Sequence, residues 1–246
     1  PVTGRPRGAP SGDLASARCV FFLQNHDQTG NRAFGERLTV LADPEALHAA
    51  YALMLLSPHI PMLFFGEEWG CRTPFFFFTS HGPDLASIVR DGRRAEFQSF
   101  SAFRNAESRA QIPDPNAVAT FERSRPDRAE MGRTSHRRWL EVTADFLALR
   151  RRFIIPRLAC THGAGGCILQ PCGGPAGAGG SRPAVRARWL LGAGALLTIA
   201  VNLGKRAVRL PAMPEGEPIH IWPLPPSGLI LGPKAIGVWL KRGPHV

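Results

Sequence analysis

Lysine is scarce in this chain. Of 30 basic residues only Lys205, Lys234 and Lys241 carry an ammonium group, and the remainder are arginines scattered from Arg5 to Arg242. Against 19 acidic residues this gives a formal charge of +11, which on a clustered surface would point to nucleic acid or an anionic membrane. The cations form no stripe and no aromatic-basic motif accompanies them, so the pattern is a compositional preference for Arg and Ala, and nucleic acid is not expected as a partner. No apolar stretch approaches the roughly 20 residues that a membrane-spanning helix requires, and no signal peptide opens the sequence, so no membrane partner is expected either. Cysteine is sparse too: five residues, at positions 19, 71, 160, 167 and 172, make no disulfide framework in a chain of 246 residues. A reducing, cytoplasmic location follows as the expectation. The spacing Cys160-x6-Cys167-x4-Cys172 fits no common zinc pattern, and neither a metal nor a cofactor is expected. What remains is 44% apolar residues, an ordinary share for a globular chain with a core to bury.

The richest chemistry lies in Val20-Phe21-Phe22-Leu23-Gln24-Asn25-His26-Asp27-Gln28-Thr29-Gly30-Asn31-Arg32. Val20 to Leu23 form a continuous apolar run of the kind that makes a buried parallel strand, and it stops abruptly at a packed set of polar groups. His26 and Asp27 then emerge where a strand gives way to its loop, the place where α/β barrels keep catalytic residues. Asp43 followed by Pro44 predicts a helix start, with Leu47, Ala50, Tyr51, Met54 and Leu55 on one face and Pro58 ending it. Ile60 to Phe65 is a second short apolar run, so the order is strand, helix, strand. It too ends in polar groups, Gly66-Glu67-Glu68-Trp69-Gly70.

Asn25-His26-Asp27 at a strand end resembles the fourth sequence region of the α-amylase superfamily of glycoside hydrolases. The longer Gln24-Asn25-His26-Asp27-Gln28-Thr29-Gly30-Asn31-Arg32-Ala33, with Gly35-Glu36-Arg37-Leu38 after it, narrows the resemblance to the malto-oligosyltrehalose trehalohydrolases, where Ile is more usual at the position of Thr29. Phe65-Gly66-Glu67-Glu68-Trp69-Gly70, Ile112-Pro113-Asp114-Pro115 and Thr120-Phe121-Glu122-Arg123-Ser124 resemble the same family. The resemblance implies that Asp27 stabilises the transition state, that His26 contacts the sugar in the cleaved subsite, and that Gln28, Thr29, Gly30 and Asn31 line the sugar site. Glu67 is the candidate sugar contact of the second loop, the alternative being that Glu67 or Glu68 pairs with an arginine and shapes that loop. Four consecutive phenylalanines, Phe75 to Phe78, could stack on sugar or pack on one another, and packing is the commoner use.

Asp84 predicts the cap of a helix that Gly92 interrupts and Arg93 resumes, residues 105–133 read as loop, and Ser135 caps a long helix with Trp139, Val142, Phe146 and Leu149 on one face. Arg150, Arg151 and Arg152 fall at its negative end. Residues 160–183 are glycine-rich and read as loop with a hairpin, and alternation at Val185, Ala187 and Trp189, then Leu196 to Val201, Val208, Ile219 to Trp222 and Ile236 to Leu240, predicts strands.

The expected architecture is α/β: the C-terminal part of a (β/α)8 TIM barrel over residues 1–157, comprising its last two strands and their helices, followed by a small antiparallel, β-sandwich-like all-β domain over residues 158–246. The implied function is a glycoside hydrolase that cleaves the α-1,4-glucosidic bond next to the terminal trehalose of maltooligosyl trehalose, in trehalose biosynthesis from α-glucans. No Gly-x-Arg-x-Asp stretch precedes Asn25, so this sequence is expected to be a C-terminal fragment without nucleophile or acid/base, inactive alone. The alternatives are another amylase-type α-glucan enzyme, branching or maltogenic, and a non-catalytic carbohydrate-binding fragment.

Overall fold

The computed structural model describes residues 14–172 and 184–243. Along them run β1 (Val20–Phe21), α1 (His26–Gly30), α2 (Leu38–Leu41), α3 (Pro44–Leu56) and β2 (Ile60–Pro61). Four helices come next: α4 (Pro83–Glu96), α5 (Ala106–Ala110), α6 (Val118–Arg123) and α7 (Thr134–Leu149). They are followed by β3 (His162–Ile168), β4 (Gln170–Pro171), β5 (Ala184–Leu190) and β6 (Leu196–Asn202). Last come β7 (Val208–Arg209), β8 (Glu217–Trp222), β9 (Ile230–Leu231) and β10 (Ala235–Lys241). Residues 1–13 lie outside the described residues, as does the part of the glycine-rich stretch from 173 to 183.

Two compact units make up the chain. The first takes the described parts of Pro1–Phe21, Glu45–Met62 and Asp145–Val246, and the second takes Phe22–Pro44 and Leu63–Ala144.

In the first unit β1 and β2 are parallel, with Val20 opposite Ile60 and Phe21 opposite Pro61, and α3 connects them. The strand-helix-strand order is as expected, but each strand is two residues long, far shorter than its apolar run. Pro61 has no N–H to give a ladder. No third strand pairs with β1 among the described residues, and Val20 is 55% exposed, so the expectation of a buried parallel strand is corrected to an edge strand. Helix α3 buries Leu47, Tyr51, Met54 and Leu55 as its spacing predicts. It also buries His48, Ala49, Ala52 and Leu56, which makes it apolar on nearly every side.

The carbonyls at the end of α3 meet a buried cation. Arg150, in a wide turn that follows α7, donates to the carbonyl oxygens of Leu55 at 3.0 Å, Ser57 at 2.5 Å and His59 at 2.6 Å. The three arginines after α7 were expected at the negative end of their own helix, and Arg150 instead closes the end of α3. His48 on α3 packs against Trp222 with centroids 4.1 Å apart and against Phe146 at 5.4 Å, while His220 meets Phe146 at 4.9 Å. Burial pulls both imidazoles down to a pKa of about 4, and for His48 the nearby His220 adds to the effect.

The remainder of this unit is antiparallel. One sheet has the order β3-β5-β6-β10-β8 and the other β4-β7-β9. Leu169, Ala200, Val208, Leu210, Leu231 and Trp239 cluster as its core. A Cβ on Gly237 would lie 2.0 Å from the Trp239 ring two residues along the same strand face, so the indole occupies the space a side chain there would take and would have to shift to admit one. The predicted strands are present, and β3, β4 and β9 are added to them, β3 and β4 within the glycine-rich stretch read as loop with a hairpin.

The second unit holds α1, α2 and α4 to α6. Helix α4 runs unbroken through Gly92, and it begins at Pro83 after Gly82, with Asp84 inside its first turn. Residues 105–133, expected as loop, carry α5, α6 and a short 3-10 turn over Arg128–Gly132, two of them capped by Asn105 and Asp127 side chains. Helix α7 starts at Thr134, one residue before the predicted cap Ser135. The short polar helices were missed because no apolar period marks them.

Candidate functional site

Asn25 sets up the first loop. Its backbone is extended while its side-chain oxygen accepts the Gln28 N–H at 2.9 Å, so the chain turns at once into the single helical turn of α1. That places His26 and Asp27 in the first turn, with side chains 70% and 71% exposed and His26 Nε2 3.3 Å from Asp27 Oδ1. Gln28 and Asn31 are exposed as well, whereas Thr29 and Gly30 are buried beneath them. A carboxylate beside an imidazole, both open to solvent at the head of a fixed turn, can accept hydrogen bonds from vicinal hydroxyls and stabilise positive charge.

The floor of this loop is held from afar. Arg93 of α4, which is buried, donates from Nη2 to the carbonyl oxygens of Gly30 at 2.7 Å and Arg32 at 3.1 Å. Its Nη1 meets Glu96 at 3.0 Å, and its guanidinium lies over Phe97 and Phe77 at 4.8 and 5.5 Å. The phenylalanine run packs edge to face: Phe75 against Phe64, Phe65 and Phe78 at 5.2, 5.6 and 5.6 Å, and Phe78 against Phe121 at 5.2 Å. Its backbone at Phe77 and the Phe75 ring lie against Gly30. A small cavity of about 170 Å³ opens beside the loop, lined by Gln24, Gln28, Thr29, Arg32, Glu36 and Leu41 among others. It is below the roughly 300 Å³ at which ligand pockets begin.

The second loop is a 3-10 turn, Glu67–Trp69, framed by two glycines in left-handed conformation, Gly66 at φ 86° and Gly70 at φ 68°. A Cβ on Gly66 would come within 2.8 Å of the Cys71 Cβ. One face of α7 then reads the turn carbonyl by carbonyl: Trp139 Nε1 donates to Glu67 O at 3.0 Å and Thr143 Oγ1 to Glu68 O at 2.8 Å. His136 Nδ1 lies 2.9 Å from Trp69 O, so that nitrogen carries the proton.

Glu67 itself is 4% exposed. Its Oε2 accepts the Phe64 N–H at 2.9 Å. Burial pushes its pKa up to about 7, with the Phe64 N–H, the nearby Gln24 amide and Arg37 opposing the shift. Arg37 is fully buried, donating to Thr73 O at 2.7 Å and Phe65 O at 2.8 Å with its guanidinium 4.8 Å from the Phe64 centroid. Burial lowers its pKa, and Cys71, Glu67, Glu68 and Glu130 act against that.

The structure thus brings His26 and Asp27 together on the exposed side and leaves Thr29, Gly30 and Glu67 buried. Sequence reasoning assigned no role to Gln24, Arg37, Arg93, His136 or Thr143, which fix both loops. Gln24 and Arg37 stood inside the motif already quoted, and Arg93 was noted only as the residue where a helix resumes after Gly92. No group of three metal-ligating side chains gathers among the described residues, and none of their helices is long and apolar enough to cross a membrane.

A domain of unknown function, DUF3459, matches residues 173–238. Malto-oligosyltrehalose trehalohydrolase of Arthrobacter ramosus is 47% identical over 140 residues, 56% of this chain and 24% of that protein. The proteins of the same name from Deinococcus radiodurans and Saccharolobus solfataricus are 44% and 42% identical over 59% and 49% of this chain, and 24% and 20% of theirs. The chain therefore spans about a quarter of the length of the curated relatives it matches. A crystal structure of a Salmonella typhimurium protein assigned as an alpha amylase superposes with a TM-score of 0.83 at 37% identity, covering 98% of this chain and 38% of that one. Isomaltulose synthase from Erwinia rhapontici shares the fold at 15% identity and a TM-score of 0.53, over 91% and 43%. The fold class is thus that of amylase-type structures, an α/β part followed by a small all-β domain.

Proposed function

We propose that this chain, similar to malto-oligosyltrehalose trehalohydrolases over more than half of its length, supplies part of the sugar site of an α-amylase-type glycoside hydrolase. The reaction would be hydrolysis of the α-1,4 bond next to the terminal trehalose of maltooligosyl trehalose, releasing trehalose in the cytoplasm. Residues 1–157 would belong to the end of a (β/α)8 barrel and residues 158–246 to the β domain behind it. A retaining glycosidase places a nucleophile and an acid/base about 5–5.5 Å apart around an oxocarbenium-like transition state. Those two groups would lie elsewhere in the complete protein, leaving this chain without activity of its own.

Asp27 would be the third carboxylate, its hydrogen bonds to sugar hydroxyls strengthening as positive charge develops on the ring. His26 would contact the same sugar, Gln28 and Asn31 would flank it, and Thr29, Gly30 and Glu67 would shape the site from below. The observation that carries this reading is the exposed His26–Asp27 pair, held at the head of α1 by the Asn25 cap and beneath by Arg93. The experiment is product analysis of the complete protein on maltooligosyl trehalose and on linear α-glucan. Free trehalose from the first substrate is expected. Release of maltose or the formation of branches without trehalose would favour a different amylase-type enzyme, and binding without turnover would favour a carbohydrate-binding protein.

A further inference from the structure

Two stretches of the second unit run side by side in opposite directions, one leaving the Asp27 turn from Gly30 to Thr39 and the other leaving the second loop from Cys71 to Phe77. Thr39 Oγ1 donates to Cys71 O at 2.7 Å, Arg37 Nε to Thr73 O at 2.7 Å, and the Phe75 N–H to Gly35 O at 2.9 Å. Gly35 sits at φ 60°, and a Cβ there would strike the Phe75 carbonyl, so the two backbones touch. The register ends at Phe77, whose backbone nitrogen would lie 3.6 Å from a Cβ on Gly30. Gly30 is the last residue of the single turn that carries Asp27.

The rings of the phenylalanine run then part ways. Phe76 is 3% exposed with the Arg123 guanidinium over it, while Phe75 packs on Phe64 and Phe65, and Phe78 on Phe121. Phe77 is 41% exposed, and its ring packs on no other aromatic among the described residues. The Arg93 guanidinium lies 5.5 Å from its centroid and donates to Gly30 O at 2.7 Å, so one cation braces both the open ring and the end of the Asp27 turn. A ring fixed by two dihedrals offers flat apolar area at little entropic cost, and its electron-rich face attracts the C–H groups that line one side of a pyranose.

We propose that Phe77 is a sugar-binding residue, its ring stacking on the C–H face of a glucose unit held at the Asp27 turn. This rests on the reading of Asp27 as the sugar-facing group and adds an apolar contact to the same site. A neutral ring does not follow the charge that develops on the sugar, so the stack serves ground and transition state alike and shows itself in KM.

The test is steady-state trehalose release from maltooligosyl trehalose by the complete protein carrying Phe77→Ala, Phe77→Leu, Phe77→Tyr or Ile88→Ala, with titration calorimetry of a linear maltooligosaccharide on the same proteins. Phe77→Ala and Phe77→Leu should each raise KM, and weaken binding, roughly 3–10-fold, with kcat little changed. Phe77→Tyr keeps the aromatic face and should stay near wild type, as should Ile88→Ala, which trims a more exposed apolar side chain on α4. Leucine retains apolar bulk at the position, so the difference between the Leu and Tyr variants reads stacking and not packing. Equal KM in wild type and Phe77→Leu, a loss confined to kcat, or a rise as large in Ile88→Ala would overturn the proposal. Should Phe77→Ala fail to fold, the Leu and Tyr variants decide. Unchanged KM at Phe77 beside an impaired Asp27→Asn enzyme leaves the glycosidase reading standing. If the wild type releases no trehalose, that reading falls and calorimetry alone decides the stack, which absence of binding would also overturn.

Discussion

Arg93 Nη2 lies 2.7 Å from the carbonyl oxygen of Gly30, sixty-three residues earlier in the chain, and the same nitrogen reaches Arg32 O. Both carbonyls sit under the loop that carries Asp27. Arg93→Ala removes the donor and leaves an acceptor buried without a partner, at a cost of about 1–3 kcal/mol. Arg93→Lys should recover only part, because an ammonium does not reproduce the planar fork that spans two carbonyls and Glu96. Urea unfolding of the three proteins measures this, and a loss below about 0.5 kcal/mol, typical of plain surface substitutions, would show that the clasp holds nothing.

Arg150 closes the carbonyl end of α3 with three hydrogen bonds to Leu55, Ser57 and His59. Replacing it by Ala strands those oxygens in a buried place, so a stability loss of about 3 kcal/mol is expected, larger than for Arg151→Ala or Arg152→Ala on the exposed side of the turn. Thermal unfolding of the three variants compares them directly. Equal effects would mean that Arg150 serves only as one charge among three.

The His48 and His220 pair makes the β-domain side of the chain sensitive to acid. Both imidazoles fall to about 4 in the folded protein from 6.5 in an open chain, so the folded state binds fewer protons between those values. Stability from each neutral ring is therefore fully present above pH 6.5 and declines as the pH drops toward 4, by up to about 1.4 kcal/mol per pH unit for each histidine. Denaturant unfolding at pH 7 and pH 5 should show a steeper decline in the wild type than in His220→Phe. Identical slopes would remove this pair as the cause.

Much of this was legible in the residues themselves. The strand-helix-strand order and the strands of the β domain follow from periods of 3.6 and 2, which are local signals, whereas the turn of α1 and its Asn25 cap stood where a loop was expected. Arg93 under Gly30 and Arg150 at the end of α3 join residues 63 and about ninety positions apart, and no local pattern encodes such partners. The same limit explains β3, whose His162–Ile168 sequence has poor strand propensity and becomes a strand only because β5 offers it a partner. It also explains why the apolar runs overstated β1 and β2, since hydrophobicity marks burial better than it marks a ladder.

The role of Asp27 carries the whole account, and steady-state trehalose release from maltooligosyl trehalose by the complete protein carrying Asp27→Asn tests it most directly. Asparagine keeps the shape and most hydrogen-bond positions but removes the charge that interacts most strongly with the transition state. We expect kcat to fall roughly 10²–10³-fold with KM little changed, and a milder loss for His26→Ala. An Asp27→Asn enzyme with near-normal kcat would contradict the account and leave Asp27 as a residue of the loop alone.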